Sequence, residues 1–241
     1  DSSTSRGLGD VYKRQILYLA VGIAFFMLLP KPKYQRQRQS GGLQLIKTFH
    51  TALANKKLLW IYLVAFLIMG SFVAVFNFIS YVLLAPPYSL SQTVVGLLFV
   101  VYLFGTFSST YMGRLSDQHG NGRVLILGLL IMLTGGLLTL LQPLVFKFIG
   151  LAIFTFGMLG SHSVACGWVG KLNQGDKAQS SSMYMFFYYA GASSLGTLGG
   201  VFLESYGWSG VIGMVATAVI ICLLVVVRLE LSVSQHLLWH H

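Results

Sequence analysis

Six long runs of apolar residues constrain this chain more than any other feature. They lie at about 58–84, 94–112, 124–141, 144–170, 183–202 and 210–227, after a shorter run, ILYLAVGIAFFMLL, at 16–29. About 20 helical residues cross a hydrocarbon core about 30 Å thick. Backbone polar groups in lipid must be bonded within the segment, and these runs do not alternate as membrane strands do. The sequence therefore predicts an all-α membrane protein, a bundle of about six transmembrane helices plus a partial preceding helix.

Composition supports a membrane protein and argues against a soluble one. Only 9% of the residues are charged and 55% are hydrophobic, whereas a soluble domain has about 25% charged residues. The net charge of +10 would suggest nucleic acid in a soluble chain. Here the basic residues lie between apolar runs, where they orient the protein in lipid. We expect no nucleic-acid partner.

The basic residues predict which ends of the helices are cytoplasmic. The segment 30–57 carries seven basic residues and no acid, and cytoplasmic loops of membrane proteins are rich in Lys and Arg. Counting spans from there places 113–123, 171–182 and the tail inside, and leaves Lys147 as a basic residue outside. We expect a multi-pass protein of a bacterial inner membrane, with its linker and C-terminus cytoplasmic.

The first fifteen residues do not follow this pattern. Residues 1–15 would place Arg6, Lys13 and Arg14 outside, just before a short apolar run, which is a poor topology. We expect 1–15 to be non-native or unstructured and the chain to be truncated upstream, with a genuine polar N-terminus as the alternative. The expected division is then 1–15, an incomplete helix at 16–29, a basic linker at 30–57, a transmembrane unit at 58–231 and a tail at 232–241.

Small residues recur at helical spacing inside the apolar runs. They predict close helix–helix contacts, because small side chains let backbones approach each other in lipid. The glycines that we expect at these contacts are Gly105, Gly157, Gly196 and Gly200.

One charged stretch, GRLSDQHGNGR at 113–123, separates two apolar runs. Gly113 and Gly120 suit a tight turn between helices. Asp117 could pair with Arg114 or Arg123, or cap a helix N-terminus. These residues leave two interpretations open: a latch at the inner surface, or a polar turn.

The same stretch resembles the signature loop of the major facilitator superfamily, Gly-x-x-x-Asp-x-x-Gly followed by a basic residue. The matching positions are Gly113, Asp117, Gly120 and Arg123. The basic linker and the stretch 186–208 are also similar to parts of family members. Asn121-Gly122 departs from the pattern, since two adjacent basic residues often follow the second glycine.

The resemblance implies a fold of two six-helix halves that rock about a central site, which gives alternating access. This chain would supply the end of helix six and helices seven to twelve, half of a twelve-helix fold. A missing N-terminal half is then an expected partner. The loop at 113–123 would help to close the cytoplasmic side.

The resemblance also implies that the helices at 58–84 and 144–170 line the cavity. Polar groups in lipid are costly and tend to face protein or water. We therefore expect substrate contacts from five residues: Asn77, Tyr81, His162, Tyr184 and Tyr188. Interhelical hydrogen bonding is the alternative role for Asn77 and His162.

The expected function is secondary active transport, as export, of a small uncharged or amphipathic solute across the cytoplasmic membrane. Proton coupling stays open: Glu204 and Glu230 lie at span ends, so a coupling carboxylate would belong to the missing half. We expect no enzyme, because no acid orients the histidine of Ser161-His162-Ser163. We also expect no metal and no cofactor. The alternative is a six-helix scaffold or homodimeric half-transporter without independent activity.

Overall fold

The structure is a computed structural model that describes residues 15, 18–25, 27–28, 55–172 and 177–238. Residues 1–14 of the expected N-terminal segment, residues 30–54 of the expected linker and residues 239–241 of the expected tail lie outside the described residues. The chain divides into two units at Gln44 and Leu45. In the first unit, residues 18–25 and 27–28 are helical. The second unit holds the elements described below.

Every element that the structure describes in the second unit is helical, and five stretches are long and apolar enough to cross a membrane. The all-α membrane fold is therefore confirmed. The elements are α1 (Lys56–Leu84), α2 (Gln92–Gly96), a 3₁₀ turn (Leu97–Val100), α3 (Val101–His119), α4 (Asn121–Leu138), α5 (Leu144–Leu172) and α6 (Lys177–Leu238). The helix α2, the 3₁₀ turn and α3 follow one another as a single apolar stretch, Gln92–His119.

Two helix boundaries follow directly from local chemistry. Asn55 caps α1, because its side-chain oxygen accepts hydrogen bonds from the backbone N–H groups of Lys57 and Leu58. Helix α6 breaks at Gly207, where φ is 65° and ψ is −158°, a conformation open mainly to glycine. We call 177–206 the first arm and 208–238 the second arm. Each arm exceeds the ~20 residues that a membrane crossing needs.

The helices contact one another in two main pairs, α1 with α6 and α4 with α5, and α3 packs on α5. Glycines bring the backbones of α4 and α5 together. A Cβ on Gly157 would lie 2.3 Å from the backbone nitrogen of Met132, and one on Gly135 would lie 2.2 Å from that of Phe154. No side chain fits between the helices at these points, so the glycines determine their separation.

The other expected packing glycines also lie against neighbouring helices, but with different tightness. A Cβ on Gly105 would lie 2.1 Å from Leu159, and one on Gly196 would lie 2.6 Å from Val73. Gly200 faces only the ring of Phe78, at 3.1 Å. A tighter contact involves Gly191 of α6, which was not among the expected packing glycines. A Cβ on Gly191 would lie 1.9 Å from the backbone oxygen of Phe66 in α1.

We use "basic end" for the end of the bundle where α1 and α6 begin, α5 ends, and α3 meets α4. The basic residues there are Lys56, Lys57, Arg114, Arg123, Lys171, Lys177 and Arg228. The other end holds the turns at 85–91 and 139–143 and the break at Gly207.

We expect Gly157→Ala to destabilise the bundle by ~1–3 kcal/mol, because its Cβ would meet the rigid backbone of Met132. Gly167→Ala is the matched control: it lies on the same helix and its Cβ would meet nothing within 4 Å. Thermal unfolding in detergent measures both. Equal unfolding temperatures for the two variants would contradict the backbone contact.

Candidate transport and gating site

The expected loop at 113–123 is mostly helix. Helix α3 continues through His119, and α4 begins at Asn121, so Gly120 is the one residue between them. Its φ of 92° lies in the region that favours glycine. Gly113 lies within α3 and faces Ser163 of α5 at ordinary contact distance. The turn between the helices is therefore shorter than the stretch 113–123, because only Gly120 leaves helical geometry.

Asp117 pairs with Lys171. The sequence had suggested Arg114 or Arg123 as its partner instead. The Nζ of Lys171, in the last turn of α5, lies 3.1 Å from Oδ1 of Asp117. Asp117 does not cap α4 either, since the cap residue Gly120 has no side-chain bond. Helix α3 directs the carboxylate across to α5, 54 residues further along the chain. Local spacing could not reveal this partner.

The Asn121-Gly122 departure from the family pattern has a structural explanation. Lys171 also donates a hydrogen bond to Oδ1 of Asn121, at 3.1 Å, so it links the end of α3 to the start of α4. A Cβ on Gly122 would lie 1.9 Å from Oε2 of Glu230. Gly122 thus leaves room for Glu230 of the second arm, whose Oε1 lies 3.9 Å from Nε of Arg123.

We call these five residues, Asp117, Asn121, Arg123, Lys171 and Glu230, the hinge cluster. Its ion pairs are weak. In the central pair, Asp117 is 71% exposed and Lys171 is 54% exposed, and exposed pairs contribute only ~0–1 kcal/mol. The Arg123–Glu230 separation of 3.9 Å is at the limit of an ion pair. The hinge cluster therefore joins α3, α4, α5 and α6 by contacts that can break and re-form at little cost.

Three of the five expected substrate residues lie together in a second cluster. Nδ1 of His162 on α5 and the hydroxyl of Tyr184 on α6 share a hydrogen bond at 2.9 Å. The rings of His162 and Tyr188 have centroids 4.5 Å apart. Tyr184 is fully buried, whereas His162 and Tyr188 are half-buried. We call these three residues the aromatic cluster, and its accessible part is the His162–Tyr188 pair.

The two expected residues of α1 lie elsewhere. Asn77 is exposed, and Tyr81, one turn further, is 65% exposed, with its ring 6.3 Å from that of Phe78 and tilted against it. Within the described part of the chain, the Asn77 side chain has no hydrogen-bond partner. A polar group on a membrane helix normally faces protein or water rather than lipid. This face of α1 therefore suits contact with water or with another protein surface.

The serine neighbours of His162 point away from it. Ser163 donates a hydrogen bond to the backbone oxygen of Ser109 on α3, at 3.0 Å. Ser161 is buried and faces Gly128 of α4. His162 itself contacts tyrosine rings. This arrangement contains none of the nucleophile–base pairing that a hydrolase requires.

A buried lysine at the opposite end was not anticipated as a structural residue. Lys147 is almost fully buried, and its Nζ donates to the backbone oxygen of Thr139 at 2.5 Å. Trp208, next to the break in α6, donates to the same oxygen at 3.2 Å. Thr139 is the C-cap of α4, so both donors satisfy a helix end with negative polarity. The signal in the sequence was that Lys147 lies on the outer side, where few basic residues are expected.

Removal of the Tyr184 hydroxyl should destabilise the α5–α6 contact. We expect Tyr184→Phe to cost ~1 kcal/mol, because the ring stays and the bond to His162 is lost. Tyr188→Phe is the control, since no hydrogen bond from its hydroxyl is described. Thermal unfolding in detergent compares them. If both variants unfold at the same temperature as the unmodified chain, His162 and Tyr184 are not coupled.

Comparison with known proteins gives consistent matches. The sequence profile of the Major Facilitator Superfamily matches residues 61–237. An uncharacterized MFS-type transporter of Bacillus subtilis, YybF, is 41% identical over 210 residues, which cover 86% of the chain and 52% of that relative. The inner membrane transport protein YnfM of Escherichia coli is 40% identical over 212 residues, 88% of the chain and 51% of that relative. The chain spans about half the length of the curated relatives it matches.

Proposed function

We propose that this chain, which belongs to the major facilitator superfamily, acts as the C-terminal half of a secondary active transporter. Its family and its long apolar helices make it a multi-pass bacterial membrane protein. The exposed polar face of α1 carries the proposal. Asn77 and Tyr81 lie exposed on a helix whose middle turns, 61–76, are buried or half-buried and mostly apolar. A second, N-terminal half of six helices would give this face a protein and water environment. In this proposal, 16–29 is the end of helix six, 30–57 is the linker between the halves and 58–231 is the C-terminal half.

We propose that the cavity lies between the polar face of α1 and the aromatic cluster. Its binding groups are an amide at Asn77, phenols at Tyr81 and Tyr188, and the imidazole of His162, while Tyr184 positions His162. These groups offer hydrogen bonds and aromatic faces without a fixed charge. They suit a small uncharged or amphipathic solute. Export across the cytoplasmic membrane is the direction we propose.

Proton coupling, in this proposal, depends on a carboxylate outside the chain. Among the described helices, acids occur only near helix ends, as Asp117, Glu204 and Glu230. A proton-coupled antiporter needs a titratable group within the membrane that the substrate or the conformational change can reach. We propose that this group lies in the N-terminal half.

We propose that the hinge cluster is the gate that holds the cytoplasmic side closed in one state. The Lys171 bridge to Asp117 and Asn121 tethers the short link between α3 and α4. The contacts are exposed and individually weak, so a rocking motion can exchange them. The observed set represents one position of the gate. In another position, Asp117 would exchange Lys171 for a different partner.

We expect Asp117→Asn in the full-length protein to lower transport about two- to fivefold, with normal membrane insertion, because the amide keeps the shape and loses the charge of an exposed ion pair. Arg114→Gln is the control, an exposed neighbour on α3 without an ion pair in the described structure. Solute flux in vesicles and protein level in the membrane are measured together. Wild-type flux from Asp117→Asn would contradict the gate.

The double reversal Asp117→Lys with Lys171→Asp tests the pairing itself. It restores opposite charges at the same two positions, so we expect it to recover part of the flux lost in either single reversal. Flux in the same vesicles measures the recovery. If the double variant is as inactive as the singles, the charge of Asp117 acts through a partner other than Lys171.

Thiol labelling tests the water-filled cavity. After Cys166 and Cys222 are replaced by alanine, we expect Asn77→Cys and Tyr81→Cys to react with a water-soluble maleimide in intact membranes. Leu130→Cys is the control, an exposed apolar position on α4 that we expect to face lipid. Equal, slow labelling at all three positions would contradict the cavity. Labelling in membranes that contain this chain alone would favour a homodimeric half-transporter.

A further inference from the structure

A groove lies at the basic end between the start of α1 and the second arm of α6. Its volume is about 350 Å³, within the range of small-molecule sites. Lys56, Lys57 and Trp60 line it from α1, and Leu224, Arg228 and Leu229 line it from α6. None of these residues belongs to the hinge cluster or the aromatic cluster. We propose that the groove binds the headgroup of an anionic phospholipid.

The charge of the groove favours an anion. Three of its lining residues are basic and none is acidic. Within the described part of the chain, no ion pair involves Lys56, Lys57 or Arg228. The nearest acid on the second arm, Glu230, is directed towards Gly122 and Arg123 of α4. A phosphate that enters the groove would therefore meet three cations without a competing carboxylate.

The order of groups along both helices matches the order within a phospholipid. On α6, Leu224 precedes Arg228 by one helical turn, and on α1, Trp60 follows Lys56 by one turn. Each helix thus places a cation at the end of the bundle and an apolar or aromatic group one turn deeper. Leu224 is 67% exposed, which suits contact with acyl chains. Tryptophan at headgroup level is typical of membrane interfaces.

These features select a lipid over other occupants. A free phosphate would use the cations but not the apolar groups of the deeper turn. A zwitterionic headgroup would bring its amine next to three cations. The segment of this chain that leads into the groove residues of α1, 30–55, carries five basic residues and no acid, so the groove repels it. If the basic end is cytoplasmic, as in the proposed function, the groove lies in the inner leaflet; lipid binding itself does not depend on that orientation.

The test is native mass spectrometry of the full-length protein in a neutral detergent. The protein is offered equal amounts of phosphatidylglycerol and phosphatidylcholine with the same acyl chains. We expect preferential retention of phosphatidylglycerol. The double variant Lys57→Gln with Arg228→Gln should weaken its binding about fivefold for each cation removed. Retention of both lipids to the same extent by the unmodified protein would overturn the proposal.

A matched control separates a site from general attraction. Arg114→Gln with Lys177→Gln removes the same charge from exposed positions at the same end, and should leave phosphatidylglycerol binding unchanged. If both double variants lose the lipid equally, the effect is bulk electrostatics and the proposal fails. Gel filtration and thermal unfolding confirm that each variant is folded.

Two further measurements keep the proposal open to refutation. Inorganic phosphate at the concentration of the lipid should not displace phosphatidylglycerol, and displacement would identify a simple anion site instead. Brominated phosphatidylglycerol should quench less tryptophan fluorescence in Trp60→Phe than in Trp168→Phe, and equal quenching would place the lipid elsewhere. None of these assays measures flux. A full-length protein that binds phosphatidylglycerol but transports no solute would therefore refute the proposed function and leave the lipid site standing.

Discussion

Direct contact between helix backbones is the interaction on which the rest of this structure depends. Glycines on α4 and α5 leave no room for a side chain, and Gly191 brings α6 against the backbone of Phe66 on α1 in the same way. In lipid, apolar side chains gain little by leaving the surrounding acyl chains, so close packing must hold the helices together. The glycine contacts supply that packing. They fix α1 against α6 and α4 against α5, and the groups of the proposed cavity lie on α1, α5 and α6.

The two ends of the bundle differ in how firmly they are joined. Away from the basic end, buried Lys147 and Trp208 both donate to the backbone oxygen of Thr139 and satisfy the end of α4. At the basic end, exposed ion pairs of the hinge cluster join four helices weakly. A rigid interior with one weakly joined end is the arrangement that a rocking half-transporter needs. The cost of moving would be concentrated at the exchangeable contacts, while the glycine contacts would move as a unit.

The helical architecture was predictable because each membrane helix carries its own evidence, an apolar run of sufficient length. The break at Gly207 falls between the apolar runs at 183–202 and 210–227, which the sequence separates. The partner of Asp117 was not predictable. Lys171 lies 54 residues away, and only the packing of α3 on α5 brings the two together. The same limit applies to Tyr184 and His162: their helical faces could be read from the sequence, but their contact depends on how α5 and α6 dock. The cavity itself remains a prediction.

We propose that this bundle is one half of a larger rocking pair, and sequencing the genomic DNA upstream of the codon for Ile16 tests this directly. We expect an open reading frame that continues through five further apolar runs and a second Gly-x-x-x-Asp stretch between its second and third spans. A start codon close to Asp1, in frame and preceded by a stop codon, would contradict it. The bundle would then have to act as a homodimer or as a scaffold.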